Sequence, residues 1–542
     1  MNRRITARLA VGFLLATAVT TTPSLAAQEA AHHDHAPGAH SSESLRLGTV
    51  SFPNSGARAA QRPFLRGLAL LHSFEYDDAR DAFREARRAD SGFAMAYWGE
   101  ALTFAQLLWG LDYADSARAS LARLGPTREA RLARARTERE RRYGAAIETL
   151  FDTTSRAARV GAYVAGLRSL TAAHPNDLEA RALLAVALLM QYDGTPAEQT
   201  ARTEEAIRLA GSIFARAPQH PGGAHYLIHA TDNPKYASRG LAAARAYAKI
   251  APDAEHALHM PSHIFVQVGA WDDVVTSNER AWAASRAWVK ARGVPNTELS
   301  FHSLWWLQYG YLQQGRFADA RGLIDTVHSV LAGIDWATSE AIDARYAPEQ
   351  FRFSYARESG DWPVYGGRAP AWAPANAKLT SDRATGLRNQ EIYRVAIVAA
   401  LLGDTARAKA VVDSLPERSV IGRGQVGALL AKARGDTANW IGGLEAAAKA
   451  DEMVAHFGPP SVYPPHELLG DALLAVGRAK DAVAAYTKGL ELMPNRSFGL
   501  LGLARAQQAA GDDAAAARTT ARLRENWRRA DPAATSRLAS RR

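Results

Sequence analysis

Shifting the C-terminal part of the chain by 34 residues lays it on itself, and this self-similarity limits the fold more than any other feature. From Pro464 the sequence reads Pro-Pro-His466-Glu467-Leu468-Leu469-Gly470-Asp471-Ala472-Leu473, then Gly477-Arg478-Ala479, Ala482, Tyr486, Gly489 and Pro494-Asn495. The shift places Gly477 on Gly511, Ala482 on Ala516 and Gly470 on Ala504. Small residues at fixed places let two antiparallel helices approach closely, and a glycine closes the turn between them. Ala-, Leu- and Arg-rich segments, broken by Gly-Asp, Gly-Arg and Pro-Asn turns, run almost to the C-terminus, and alternating strand patterns are nearly absent. The expected class is all-α.

This spacing resembles the tetratricopeptide repeat, in which small residues recur in helices A and B and proline or asparagine ends the unit. The same frame fits Gly67, Tyr76, Ala79, Phe83 and Ala86, then Leu307, Tyr311, Gly315, Phe317, Ala320 and Ile324, and Gly403 with Ala408. The resemblance covers most of residues 60–530. It implies a right-handed superhelical solenoid with a concave groove, since each hairpin buries its apolar face only by stacking on its neighbours. Ile334 to Arg383, with Trp336, Trp362, Trp372 and many Pro and Gly, breaks the pattern. The expected organisation is a solenoid over 60–333, an irregular insertion or junction over 334–385, a second solenoid over 386–530 and a tail over 531–542.

The N-terminus indicates the compartment. Arg3, Arg4 and Arg8 precede an apolar run from Leu9 to Val19, and small residues lead to Ala26 and Ala27. A basic start, a short apolar core and a small-residue cleavage site make residues 1–27 a secretory signal. The run is too short for a permanent anchor, so the expectation is a periplasmic or secreted protein without a stable membrane anchor. The Arg3-Arg4 pair hints at twin-arginine export, although its flanks fit that signal poorly. The segment 28–59 reads as a flexible linker carrying His32, His33, Asp34, His35 and His40. It is either a metal-capturing tail or a linker that happens to be His-rich. The 65 Lys and Arg are interspersed with 55 Asp and Glu, which argues for solvated helix faces and against nucleic-acid binding. With no cysteine, disulfides, thiolate catalysis and Cys-ligated metal sites are excluded.

Six of the 16 histidines fall between residues 220 and 263. In the 34-residue frame Pro218 maps onto Pro252, His225 onto His259 and His229 onto His263. Two consecutive repeats thus carry the same His-x-x-x-His pair. Such i, i+4 residues share one helix face roughly 5–6 Å apart, and packed helices lie roughly 8–10 Å apart. Four imidazoles would then surround one metal ion or a close pair. Pro261 should kink the helix between His259 and His263.

The tetratricopeptide resemblance implies that these histidines, at positions 5 and 9 of helix A, face the groove. The same count puts Trp305 and Tyr309, and Glu467 and Asp471, at those positions, with His256 and His302 at position 2. His302 is a candidate fifth ligand or acid/base group, and Asp232 is the nearest candidate for a carboxylate fixing a ring tautomer. The strings around His225–His229 and His259–Phe265 also resemble large exported bacterial tetratricopeptide proteins, a likeness that transfers no activity. Three readings of the ladder stand open at this level: a transition metal site, a groove for an anionic or peptide ligand, or repeat ancestry. A metal on an imidazole-rich, thiolate-free shell would be copper or zinc, with iron or nickel as alternatives. A metal-free reading makes the protein a periplasmic scaffold for a peptide or protein partner.

Other motifs carry little. Gly422-Arg-Gly424-Gln-Val-Gly427 matches the dinucleotide fingerprint by letter but lacks a preceding strand, and reads as a helix-hairpin turn. His466-Glu467-Leu-Leu-Gly470 lacks the second histidine of a zinc-protease helix. No nucleophile elbow or phosphate-binding loop occurs, so hydrolase and nucleotide-driven readings have no local support.

Overall fold

The computed structural model describes residues 45–106, 108, 111–336, 341–367 and 382–539. The signal-type segment and His32, His33, His35 and His40 lie outside the described residues. Helical hairpins follow one another along the rest. They include Arg58–His72 with Tyr76–Ala89, Pro221–Thr231 with Ala237–Ile250, and Phe301–Gln313 with Phe317–Val330. Pro465–Ala475 with Ala479–Leu492 and Ser497–Ala509 with Asp513–Asn526 end the series. Among the described residues, extended pairing is confined to Ala105–Gln106 against Leu111–Asp112.

The expected residues make these hairpins. Gly315, Gly403, Gly435, Gly477 and Gly511 close their turns in the left-handed region, with φ between +69° and +84°. Small residues sit where helices meet. A β-carbon at Gly470 would lie 2.6 Å from the Tyr486 ring, and one at Gly502 2.1 Å from it. Phe83 is held the same way between Gly67 and Gly99, at 3.0 and 2.4 Å. An aromatic of helix B is thus clasped by glycines of its own helix A and of the next, the packing unit that propagates the array. The fold is the all-α hairpin solenoid of the tetratricopeptide type. No helix among the described residues is long and apolar enough to cross a membrane.

Several expectations need correction. Residues 334–385 are not irregular throughout, because the helix Ile342–Ser359 lies within them. The tail forms the helix Pro532–Ala539. From residue 45 the expected linker is packed: Leu47 and Phe52 are buried, and the Thr49 amide donates to the Gln219 carbonyl at 2.8 Å. Gly422–Gly427 lies inside the helix Val420–Ala433 instead of at a turn, with Gly422 against Tyr393.

The open groove is also corrected, because the C-terminal repeats fold back onto the N-terminal ones. Trp271 Nε1 donates to the Asn495 carbonyl at 3.1 Å, and Ser497 Oγ donates to the Gln313 carbonyl at 2.6 Å. Trp305, Tyr309 and Glu467, expected to line a groove, are buried, as are His225, His259 and His263.

Candidate metal centre

Four stretches of helix supply the imidazoles. His225 and His229 lie on Pro221–Thr231, which starts on Pro221 and is capped by His220. His256 and His259 lie on Glu255–His259, which stops there because Pro261 cannot continue it. A second helix, Pro261–Val268, starts at the proline and carries His263. The expected kink is a one-residue interruption at Met260, whose own backbone stays helical. His302 is the second residue of Phe301–Gln313.

These helices assemble two sets of three. In the first, His225 Nε2 lies 3.0 Å from His229 Nε2 and 3.1 Å from His256 Nε2. In the second, His259 Nε2 lies 3.1 Å from His263 Nε2, and the His302 ring stands 4.6 Å from that of His259. Within each set, one nitrogen per residue falls within 4.8 Å of the other two. The sets adjoin, with ring centroids 6.2 Å apart for His229 and His263 and 6.3 Å for His256 and His259. His256, expected beside the ligand set, is a full member of the first triad.

Partners of the opposite ring atoms decide the tautomers. His225 Nδ1 lies 2.6 Å from the His72 carbonyl, which can only accept. His259 Nδ1 lies 2.6 Å from Asn278 Oδ1, whose amide orientation is fixed because Asn278 Nδ2 donates to the Val274 carbonyl. His263 Nδ1 lies 2.7 Å from Asp232 Oδ2. All three rings therefore carry their proton on Nδ1 and turn an Nε2 lone pair toward the other imidazoles. Burial first, and then the neighbouring imidazoles, push His225, His229 and His259 well below the usual histidine range, so they are neutral, the form that ligates metal. Asp232 fixes His263 of the next repeat instead of its own neighbour His229. Its other oxygen accepts from Gln267 Nε2, which also donates to the His456 carbonyl at 2.6 Å.

Two features escaped the sequence reading. Trp306, instead of Trp305, faces the centre, its ring 4.3 Å from His263 and 5.1 Å from His259. The signal was present, since His302 and Trp306 repeat the i, i+4 spacing of the two histidine pairs. Trp305 points away and donates to Ser354 at 2.8 Å. The second feature is a buried cluster of His72, Glu179 and His220. His220 Nδ1 accepts from the Gly223 amide at 3.2 Å, so its proton is on Nε2, which donates to Glu179 at 3.1 Å. His72 Nε2 donates to the other carboxylate oxygen at 2.6 Å. Burial alone would raise the Glu179 pKa; the two histidines outweigh it and hold the group ionised. Here each nitrogen facing the carboxylate carries a proton, the reverse of His225, His259 and His263.

Tyr309, Glu467 and Asp471 belong elsewhere. Tyr309 and Glu467 bond Arg496, at 3.0 and 2.6 Å. Asp471 is exposed and accepts from the Tyr486 hydroxyl.

No family model matches the sequence, and no curated protein matches it either. Solved structures similar to it include a human IFIT1 dimer with m7Gppp-AAAA, at 12% identity and a TM-score of 0.37, covering 87% of this chain and 96% of that one. The APC/C hetero-tetramer Cut9–Hcn1 gives 12% and 0.33, covering 91% and 78%. Yeast Tom70 gives 12% and 0.30, covering 89% and 95%. At such TM-scores these likenesses carry no argument about the site.

Proposed function

We propose that the protein is an exported tetratricopeptide solenoid that holds a transition-metal centre on two three-histidine sets, His225/His229/His256 and His259/His263/His302. One observation carries the reading: in the second set, the Nε2 lone pairs of His259 and His263 face each other across 3.1 Å with both rings' protons committed to Nδ1 on the far side, and His225 turns the same bare Nε2 into the first set. Unprotonated nitrogens this close repel unless a cation lies between them. At metal–nitrogen bonds of about 2.0–2.1 Å, such separations correspond to ligand–metal–ligand angles of roughly 95°. Imidazole without thiolate suits copper or zinc, with iron or nickel as alternatives. Three protein ligands per ion leave a position open, as catalytic sites do. The tail histidines His32, His33, His35 and His40 would collect metal for the centre.

The test is metal content after expression with export in copper- and zinc-supplemented medium. The wild-type chain should retain near-stoichiometric metal, and His229→Ala and His263→Ala should each lose tight binding. Wild-type protein free of metal would favour instead a scaffold that binds a peptide or protein partner.

A further inference from the structure

The hairpin turn beside the first triad breaks a rule that five other hairpin turns keep. Phe74, between Arg58–His72 and Tyr76–Ala89, has φ +57°, in the region where the turns at 315, 403, 435, 477 and 511 place glycine. A bulky residue is seldom found there and persists only where its surroundings hold it. The Phe74 ring packs on the whole first triad, with centroids 4.4 Å from His225, 5.4 Å from His256 and 5.6 Å from His229. It also walls a small, half-open and mostly apolar pocket shared with Leu71, Leu102, Leu183, Val186, Tyr163 and Tyr226. This pocket therefore ends one ring's thickness from the imidazoles. The aliphatic part of this lining favours small apolar guests.

Charge narrows the guest further. All six ring donors are imidazoles, which bind a metal as uncharged ligands, and no carboxylate is among them; the Asp232 carboxylate stands behind His263. Two divalent ions would put four positive charges into a largely buried site, and the desolvation cost of an ion grows with the square of its charge. Two monovalent ions halve that charge. Among the metals that imidazole suits, copper has a monovalent state within reach. If each cuprous ion gives one electron to dioxygen, the products are two cupric ions and one peroxide dianion. The O–O bond is reduced but not broken, no proton is consumed, and the net charge of metals plus guest is unchanged.

Resting on the metal-centre reading above, we infer that this site is a cuprous pair that binds dioxygen, delivered from the mostly apolar pocket past Phe74. The protein is loaded with cuprous copper under nitrogen, freed of excess metal, and then oxygenated in an oxygen-electrode cell with a parallel assay for hydrogen peroxide. Two coppers per chain and one dioxygen consumed per two coppers, with no prompt release of peroxide, are expected. Failure to bind cuprous copper overturns the cuprous pair, and loading the same protein with zinc, nickel and ferrous iron then decides the metal centre, which falls as well if none of them is retained. Two coppers with no uptake, or with immediate release of hydrogen peroxide, overturn dioxygen binding and leave the metal centre standing. Phe74→Gly, which the backbone angle permits, should speed uptake at least threefold at unchanged copper content, and Phe74→Trp should slow it comparably. Equal rates in all three proteins overturn the route past Phe74.

Discussion

Asp232 sits one turn beyond His229 yet bonds His263, 31 residues on, while its second oxygen takes the Gln267 amide. Asparagine offers one acceptor where the carboxylate offers two, so Asp232→Asn must lose one of these bonds. The ring also loses the negative charge that raises its basicity, and changes of this kind cost about 10–100-fold in metal affinity. Equilibrium competition against a chelator reads this directly; an affinity unchanged within threefold would deny Asp232 the role. Asp451 shows the opposite use of a buried carboxyl. Burial, with a smaller push from Glu452, raises it to about 7. The folded state keeps this proton up to about pH 7, whereas the unfolded chain releases it near pH 4. Its contribution is therefore full below about pH 4, falls as pH rises toward 7, and is flat above. Asp451→Asn should remove that decline, with an advantage over wild type that grows to at most about 4 kcal/mol above pH 7. Urea midpoints at pH 4 and pH 8 check it, and an equal gap at both would clear Asp451.

At the scale of elements, the interruption at Met260, just before Pro261, makes two short helices from what the repeat frame writes as one. His259 and His263 then approach to 3.1 Å across it, with His263 reached by the Asp232 carboxylate from the preceding repeat. Pro261→Ala restores the amide hydrogen and removes the ring, letting Glu255–His259 and Pro261–Val268 join. Helix content should stay level or rise while metal affinity falls roughly tenfold or more, since the second triad loses its aim. Circular dichroism with a chelator competition separates these outcomes; unchanged affinity would make the break incidental. The histidine ladder was legible because its spacing lies within a helix and its duplication within a repeat, both local periods. Trp306 was missed although the count meets the helix start at Phe301, because the count took positions 5 and 9 as inward whereas this helix turns positions 2 and 6, His302 and Trp306, toward the centre. The His72–Glu179–His220 cluster was not legible at all, since its bond from His72 to Glu179 spans 107 residues and depends on how the superhelix curves.

The whole molecule is closed by a contact that no repeat period announces. Arg496, buried, bonds Glu358 at 2.6 Å, Glu467 at 2.6 Å and Tyr309 at 3.0 Å, and so ties the C-terminal repeats to the helices Phe301–Gln313 and Ile342–Ser359. Burial opposes the charge on Glu358, but Arg496 and Arg357 hold its carboxyl below the usual range; burial still pushes Glu467 up. Beside this knot, Gly458 lies against Trp306, where a β-carbon would stand 2.1 Å from the indole, and the His456 carbonyl holds Gln267. The C-terminal half thus forms one wall of the metal centre as well as a second stack of repeats. Arg496→Ala leaves the buried Glu467 without its cation and Glu358 with Arg357 alone, a loss of about 3–5 kcal/mol for a broken buried pair. The hairpins themselves keep their glycine-clasped aromatics, so each half should remain folded while their junction loosens. Calorimetry should show the wild-type transition split in two, and limited proteolysis should open sites near the 451–464 connection. Metal should leave the variant faster, because the wall that holds Gln267 and Trp306 is no longer fixed. A single, merely lowered transition with metal release unchanged would show that the halves are joined by their apolar contacts, and that Arg496 is a passenger at the junction.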